Sequence, residues 1–333
     1  MSVRRTGRFP APGTGLPYLI FRTTPRDRWL AGMLHEHRAL TSAQIQRLAF
    51  SSLRSANRRL AALTGLGVCD RIRPNPAVYG PAPYVYTLGP AGALLIAAQR
   101  DQGIKELRYD RAVLLRQAAR PDLAHTLGCN SLMIALATAY RADPAVRLAA
   151  WWGPVTCLRI WGDVIRPDAY ALWHEHASPL EARAEVAGDQ YQDTGSCGFF
   201  VEYDTGTESP AQVAGKVEGY LRYADHHTGH RPVLLHLPDA RREQRVRAAL
   251  SAAYGPICPI PLATSSQPEV AGSVWHPLGV TPQARHRIAQ LPAVFHRAGY
   301  RLLAALREDP YAHALDPAPP DAEPRRPPTK FES

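Results

Sequence analysis

The chain has almost no lysine, few cysteines and no long apolar run. Lysine occurs only at Lys105, Lys216 and Lys330, so the 39 basic residues are nearly all arginine. That preference, with the abundance of alanine and proline, follows from GC-rich coding and carries little functional weight alone. The five cysteines, Cys69, Cys129, Cys157, Cys197 and Cys258, are scattered, odd in number and never spaced Cys-x-x-Cys. This excludes a disulfide framework and a zinc knot, and it is the usage expected of reduced thiols in a cytoplasmic protein. No apolar stretch approaches the roughly 20 residues of a membrane span. Met1-Ser-Val-Arg-Arg5 leads into no signal-peptide core. The reading is therefore cytoplasmic, with no membrane partner.

What is present is a globular composition, 45% hydrophobic and 20% charged over 333 residues, long enough for two domains. Charge is spread unevenly. Residues 1–120 hold 19 Lys+Arg against 6 Asp+Glu, a balance of +13; the whole chain is +10, so the remainder carries −3. A basic front joined to a slightly acidic back reads as a nucleic-acid-binding module fused to something else.

Residues 1–24 are rich in Pro, Gly and Arg without a period, the pattern of a flexible basic arm. From Pro25 the pattern turns helical, with Trp29, Leu30, Met33, Leu34 and His37 at helical spacing. Thr41 as N-cap and Gln44 as its capping-box partner open a second helix, with Ile45, Leu48 and Ala49 inward. A third starts near Ser51 or Ser52. Its Leu53, Ala56, Leu60 and Leu63 form an apolar stripe, and its other side offers Arg54, Ser55, Asn57, Arg58 and Arg59. Gly65-Leu-Gly67 ends it. Strand-like runs at Val68–Arg73 and Tyr84–Leu88 follow, joined by the Pro-rich Pro74–Pro83. Over residues 25–100 this order of three helices and a ribbon resembles a winged helix-turn-helix. The resemblance implies that the third helix enters the major groove of double-stranded DNA with Arg54, Asn57, Arg58 and Arg59. Arg71 and Arg73 would touch phosphates from the wing. The plainer alternative is a helical domain with a solvated basic face.

Residues 101–120 read as a charged helical linker, and Pro121–Tyr140 as an apolar helix with His125 and Asn130 as polar insertions. Strands are expected at Val146–Trp152, Val155–Trp161, Val164–Trp173, Gly198–Asp204 and Arg231–Leu237, and a polar loop at Glu181–Asp193. Helices are expected from Ser209 to about His226, over Ala240–Tyr254 and over Pro292–Arg307. The second domain thus spans 121–314, and Pro-rich residues 315–333 read as a disordered tail.

The chain is organised around Gly198–Glu208 and Arg166-Pro-Asp-Ala169. Phe199, Phe200 and Val201 are strand residues that run directly into Glu202, Asp204 and Glu208, and Val164-Ile165 likewise meets Asp168. On a strand, Glu202 and Asp204 share one face. Acids interrupting apolar strands are costly unless paired or metal-bound. Two neighbouring strands presenting them make a site for a hard cation, Mg2+ or Mn2+. Alternatively the acids cap helices or pair with arginines.

Helix, strands, helix, strand is the αβββαβ order, and with Pro167-Asp168 and Glu202 it resembles the restriction-endonuclease-like core of the α+β / α/β class. That superfamily's motif is Pro-Asp … (Asp/Glu)-x-Lys; here Asp204 stands at the lysine position. Lys216 on the next helix is either a displaced substitute or an exposed helix lysine. The resemblance implies Asp168 and Glu202 as metal ligands, with Asp204 or Glu208 completing the shell. A metal-activated water would attack phosphorus while Lys216 stabilises the developing charge.

Taken with the basic front, the chain resembles the replication-relaxation family of bacterial plasmid and mobile-element proteins over residues 25–240. Arg166–Ala169, Phe200–Glu208, Lys216, Tyr220 and Tyr223 carry that resemblance. It implies a role in plasmid replication and DNA relaxation, with double-stranded DNA and other plasmid replication or transfer proteins as partners. A relaxase-like alternative uses His174-Glu175-His176 for a metal and Tyr220 or Tyr223 as nucleophile, although Glu175 is not apolar. His226, His227 and His230 offer a transition-metal cluster or a helix-end group favoured by the dipole. The alternative of another class is a non-catalytic initiator or transcriptional regulator on a degenerate nuclease fold.

Overall fold

Capping chemistry sets the front of the chain. The computed structural model describes residues 15–73, 83–118, 120, 122–175, 195–281, 283–304 and 316–320. Thr24 and Asp27 close a capping box at α2 (Pro25–His37), Thr41 and Gln44 another at α3 (Ser42–Ala49), and Ser52 caps α4 (Leu53–Gly65). Each cap is worth about 1 kcal/mol. Strands β1 (Leu40–Thr41), β2 (Cys69–Ile72) and β3 (Val85–Leu88) form an antiparallel sheet in the order β1-β3-β2. Helix α5 (Pro90–Gln99) follows and packs on α2. The inward side of α4 is Ala56, Leu60 and Leu63; Leu53 is exposed, because at the first helical position it stands outside the packed turn.

Two expectations for the front change. The end of the stretch read as an arm forms α1 (Leu16–Arg22), anchored by fully buried Leu19; residues 1–14 lie outside the described residues. Among its described residues the linker is helical only in α6 (Arg111–Gln117), where Asp110 caps the start and Arg111 clasps Asp70 at 2.7 and 2.6 Å.

The back begins with α7 (Leu123–Thr138), β4 (Val146–Trp152), α8 (Pro154–Trp161), β5 (Ala169–Glu175) and β6 (Ser196–Tyr203). It continues with α9 (Pro210–Gly215), α10 (Val217–His227), β7 (Val233–His236) and α11 (Ala240–Tyr254). It ends with β8 (Leu262–Ser265), β9 (His276–Pro277) and α12 (Leu291–Arg297). The six strands form one mixed sheet in the order β4-β5-β6-β7-β8-β9, with β6-β7 and β7-β8 parallel and the other pairs antiparallel. Side chains alternate across it as a two-residue period requires. Phe199, Val201, Ala171 and Trp173 enter the core shared with α2, α3 and α7. Phe200, Tyr170 and Leu172 enter the core shared with α8 to α11.

Val155–Trp161, expected as a strand, is the helix α8. Pro154 suits its first turn, and the Glu36 carboxylate, carried by α2, accepts from Gly153 N (2.8 Å), Thr156 N (3.0 Å) and Thr156 Oγ1 (2.9 Å). A side chain from far upstream thus caps the start of α8. The helix expected to run from Ser209 to His226 breaks at Lys216, which ends α9 and begins α10. The helix expected over 292–307 stops at Arg297. Gly299 takes φ 91°, and the chain beyond turns back to pair with His230 through Arg301 O and Leu303 N. Residues 305–307 lie outside the described residues, as do the loop expected at 181–193, the ribbon residues 74–82 and most of the tail.

Buried side chains of the front and of the back meet in one cluster. A single cluster of buried apolar side chains runs from Leu19 through α2, α3 and α7 to Tyr300. Within the tail segment that is described, Asp316 O accepts from Trp29 Nε1 at 2.8 Å. The molecule is a mixed α+β protein with a helical front and a six-stranded mixed sheet.

Candidate functional site

The antiparallel register of β5 and β6 brings the two expected acids together. Ala169 pairs with Val201, so the next step brings Asp168 opposite Glu202, and Asp168 N donates to Val201 O at 3.1 Å. Asp168 Oδ1 contacts His125 Nε2 of α7 at 2.8 Å, and its Oδ2 accepts from Tyr203 N at 2.8 Å. Glu202 is buried. Its Oε1 accepts from Tyr220 Oη at 2.5 Å and its Oε2 from Lys216 Nζ at 3.2 Å. Lys216 Nζ also reaches Glu208 Oε2 at 3.2 Å. Lys216, at the junction of α9 and α10, thus meets Glu202 near the end of β6.

The electrostatics follow from burial and crowding. Burial, and then the neighbouring Asp168 charge, raise the Glu202 carboxyl to about 7, against the pull of Lys216 and Tyr220. Burial lowers the affinity of Lys216 for its proton, but Glu202, Asp168 and Glu208 outweigh it and hold the ammonium firmly charged. The hydrogen bond to Asp168 raises His125 above the ordinary histidine value. Burial, then Glu202, push the Tyr220 phenol well up.

Each carboxylate already faces a basic group, Asp168 the His125 ring and Glu202 the Lys216 ammonium. Among the described residues no three His, Cys, Asp or Glu side chains gather as an all-protein metal shell. Magnesium does not require one: it is commonly held by one or two carboxylates and keeps several waters. Asp168 and Glu202 are the two neighbouring carboxylates that could hold such a cation, although each of their oxygens already has a protein partner.

The other expected site residues divide. Glu208 stays at the rim, tied to Lys216. Asp204 turns away: it follows the end of β6, is buried, and forms a two-pronged pair with Arg242 of α11, Nε–Oδ2 2.6 Å and Nη2–Oδ1 3.2 Å. Gly206 N donates to its Oδ1 at 2.9 Å. Its lone pairs serve the fold. Tyr223 is also apart from the cluster, its hydroxyl accepting from Arg231 Nε at 2.8 Å and its ring stacked on His227. His174 Nδ1 lies 2.6 Å from Ser196 Oγ and Glu175 pairs with Arg287; His176 lies outside the described residues.

On the front, Arg54, Asn57 and Arg58 are exposed along α4. Arg59 is not available in the same way. Its Nε and Nη2 reach Asp27 at 2.9 and 2.5 Å, and Nη2 also donates to Arg22 O at 3.0 Å. Arg71 and Arg73 stack over the Tyr84 ring at 4.5 and 5.5 Å, at the base of the ribbon.

Two residues of consequence were not assigned from sequence. His125 showed only as a polar insertion in an apolar helix, and that insertion is the signal that could have found it. Arg242 gave no signal, because α11 begins with several arginines and nothing distinguishes the one that points inward.

Fold and cluster together define a mixed α+β protein with a basic helical front and an acid–lysine cluster where β5 begins and β6 ends. The replication-relaxation family profile matches residues 32–234, from within α2 to β7, and the chain belongs to that family. No curated protein and no solved structure matches it.

Proposed function

We propose that the chain acts in the cytoplasm on plasmid or mobile-element DNA, binding the duplex through its front and nicking it at the Asp168–Glu202–Lys216 cluster with Mg2+ or Mn2+. Family membership supports the plasmid replication and relaxation setting, in which other replication or transfer proteins would be partners. Three helices followed by an antiparallel ribbon support a winged helix-turn-helix reading, with Arg54, Asn57 and Arg58 facing the groove. Antiparallel β4-β5-β6, followed by α9–α10 and parallel β7, supports a restriction-endonuclease-like reading of the back. The observation that carries the catalytic part is the convergence of Asp168, Glu202 and Lys216 from three separate segments.

In this reading Asp168 and Glu202 would hold the metal. When bound, it would supply Lewis acidity toward a phosphoryl oxygen and a more acidic water. His125 and Tyr203 N fix the Asp168 carboxylate, and Tyr220 fixes Glu202. Lys216, whose side chain is 35% exposed, would meet the charge that develops on phosphate. Tyr220 itself is buried and strongly protonated, which favours an orienting role over attack on phosphorus.

A second reading, a DNA-binding initiator or transcriptional regulator without chemistry, is favoured by Asp204, which holds the motif's lysine position and is committed to Arg242. The test uses a supercoiled cognate plasmid with Mg2+ or Mn2+. Open circles formed by wild type and lost in Asp168→Asn and Glu202→Gln, with DNA binding retained, bear out the nicking reading. Binding without nicking leaves the regulator.

A further inference from the structure

Helix α1 has only seven residues, yet its last turn is tied to both α2 and α4. Leu19 is fully buried, and Thr23 Oγ1 donates to its carbonyl oxygen at 2.7 Å. Arg28 Nη1 of α2 donates to Thr23 O at 2.9 Å, and Arg59 Nη2 of α4 to Arg22 O at 3.0 Å. Carbonyls that a helix end leaves without partners are thus taken up by side chains. What this mount holds outward is apolar. Phe21 is 87% exposed, Ile20 50% and Tyr18 44%. Tyr18, Phe21 and Arg22 share one face by their spacing of three and four, and the Arg22 guanidinium lies 5.7 Å over the Tyr18 ring. Adjoining exposed apolar side chains rimmed by charge mark an interaction site. The surrounding charge selects the partner. Residues 1–26 contain five arginines and no acid. Arg54 and Arg58 are exposed on α4, and the first acid, Asp27, is buried and paired with Arg59. Two copies of such a face repel each other, whereas a polyanion complements it.

We infer that Phe21 and Ile20 form an apolar wedge that enters the stack of base pairs beside the segment read by α4, opening one step and bending the duplex. The inference rests on the proposed DNA-binding reading. A helix in the major groove leaves its flanking elements near the adjoining minor groove. There, phenylalanine and isoleucine are among the side chains that unstack a base step and kink the duplex by about 20–90°. Arg22, on the same face of α1, meets a phosphate beside the opened step. The bond from Arg59 to Arg22 O ties the wedge to α4 itself, so the wedge keeps a constant register against the bases that α4 contacts.

The test takes the fragment of a cognate plasmid that wild type retains at the highest salt and compares the gel mobility of its circularly permuted copies, which reads the bend. Wild type should bend it by at least about 20°. Ile20→Ala with Phe21→Ala should lose more than half of that angle, and Phe21→Leu should keep most of it. The wedge neutralises no phosphate, so the double variant keeps the wild-type slope of log K against log salt, whereas Arg58→Ala lowers that slope by about 0.9. Equal thermal midpoints of wild type and Phe21→Ala show that the fold does not use the ring. A lowered midpoint shows that another part of the chain covers it, and overturns the wedge. A straight duplex bound by wild type, or a double variant that bends DNA as wild type does, overturns the wedge and leaves DNA binding in place. A wild type that retains no fragment overturns both readings. Retention on phosphatidylglycerol vesicles, or self-association in sedimentation, lost in Phe21→Ala while the bend is unchanged, would assign the face to an anionic lipid surface or to a second copy and also overturn it.

Discussion

Removing Arg242 should cost more stability than any surface change in the molecule, for a reason that also decides the role of Asp204. The side chains of Asp204 and Arg242 are 2% and 5% exposed, and two bonds join them. Arg242→Ala strands a carboxylate that retains only Gly206 N as a donor, and it also frees Glu208 O, which accepts from Arg242 Nη2 at 2.6 Å. Breaking a buried ion pair on one side costs about 3–5 kcal/mol, a large fraction of the 5–15 kcal/mol that typically holds a domain together. The pair itself is worth much less than its rupture, because both charges were desolvated to form it. Asp204→Asn with Arg242→Met should therefore recover at least half of the loss. The assay is urea unfolding of wild type, both single variants and the double variant at pH 7. A loss below about 1 kcal/mol in Arg242→Ala, or a double variant no more stable than Arg242→Ala, refutes the assignment of Asp204 to the fold.

Three further outcomes follow from the same geometry. Glu202 binds its proton more tightly when folded, at about 7 against an ordinary 4.5, so its contribution to stability is full below about pH 4.5 and is lost as pH rises through 7. In EDTA, Glu202→Gln should accordingly gain on wild type between pH 5 and pH 8 in urea midpoints, and a loss over that range contradicts the burial account. Gly128→Ala would gain up to about 1 kcal/mol from helix propensity alone, but the new Cβ falls 2.3 Å from Tyr203 Cε1, whose ring is stacked against His236. Overpacking costs about 1–3 kcal/mol, so thermal melts should show net destabilisation, and a raised midpoint would mean Tyr203 moves freely. Phe200→Ala empties a fully buried position amid Trp161, Tyr170, Tyr220 and Tyr223 and should cost about 3–5 kcal/mol in the same unfolding assay.

What could be read from the sequence was local or periodic. Thr41 with Gln44 and Ser52 started helices where their short-range hydrogen bonds predict, and Phe199–Val201 marked a buried strand. The meeting of Asp168 with Glu202 needed only the idea that the two acid-bearing segments pair, although the strand expected from Val164 begins at Ala169, just after Asp168. Spacing misled where a distant partner decided the outcome. Val155–Trp161 has strand-like content, yet Glu36 from α2 satisfies its first amides and makes a helix. Glu202 and Asp204 were grouped by the two-residue period, but β6 ends between them and Arg242 takes the second. Lys216 was placed within a helix, whereas it stands at the junction of α9 and α10.

The cap that Glu36 provides for α8 also sets an order of events during synthesis. The carboxylate precedes its furthest partner, Thr156, by 120 residues. At elongation rates of about 5–20 residues per second, the carboxylate exists for roughly 6 to 24 seconds before the last of those amides is made. Until then the closing turn of α2 must remain solvated, and the front cannot reach its final packing on the ribosome ahead of the back. The two parts are thus obliged to finish folding together.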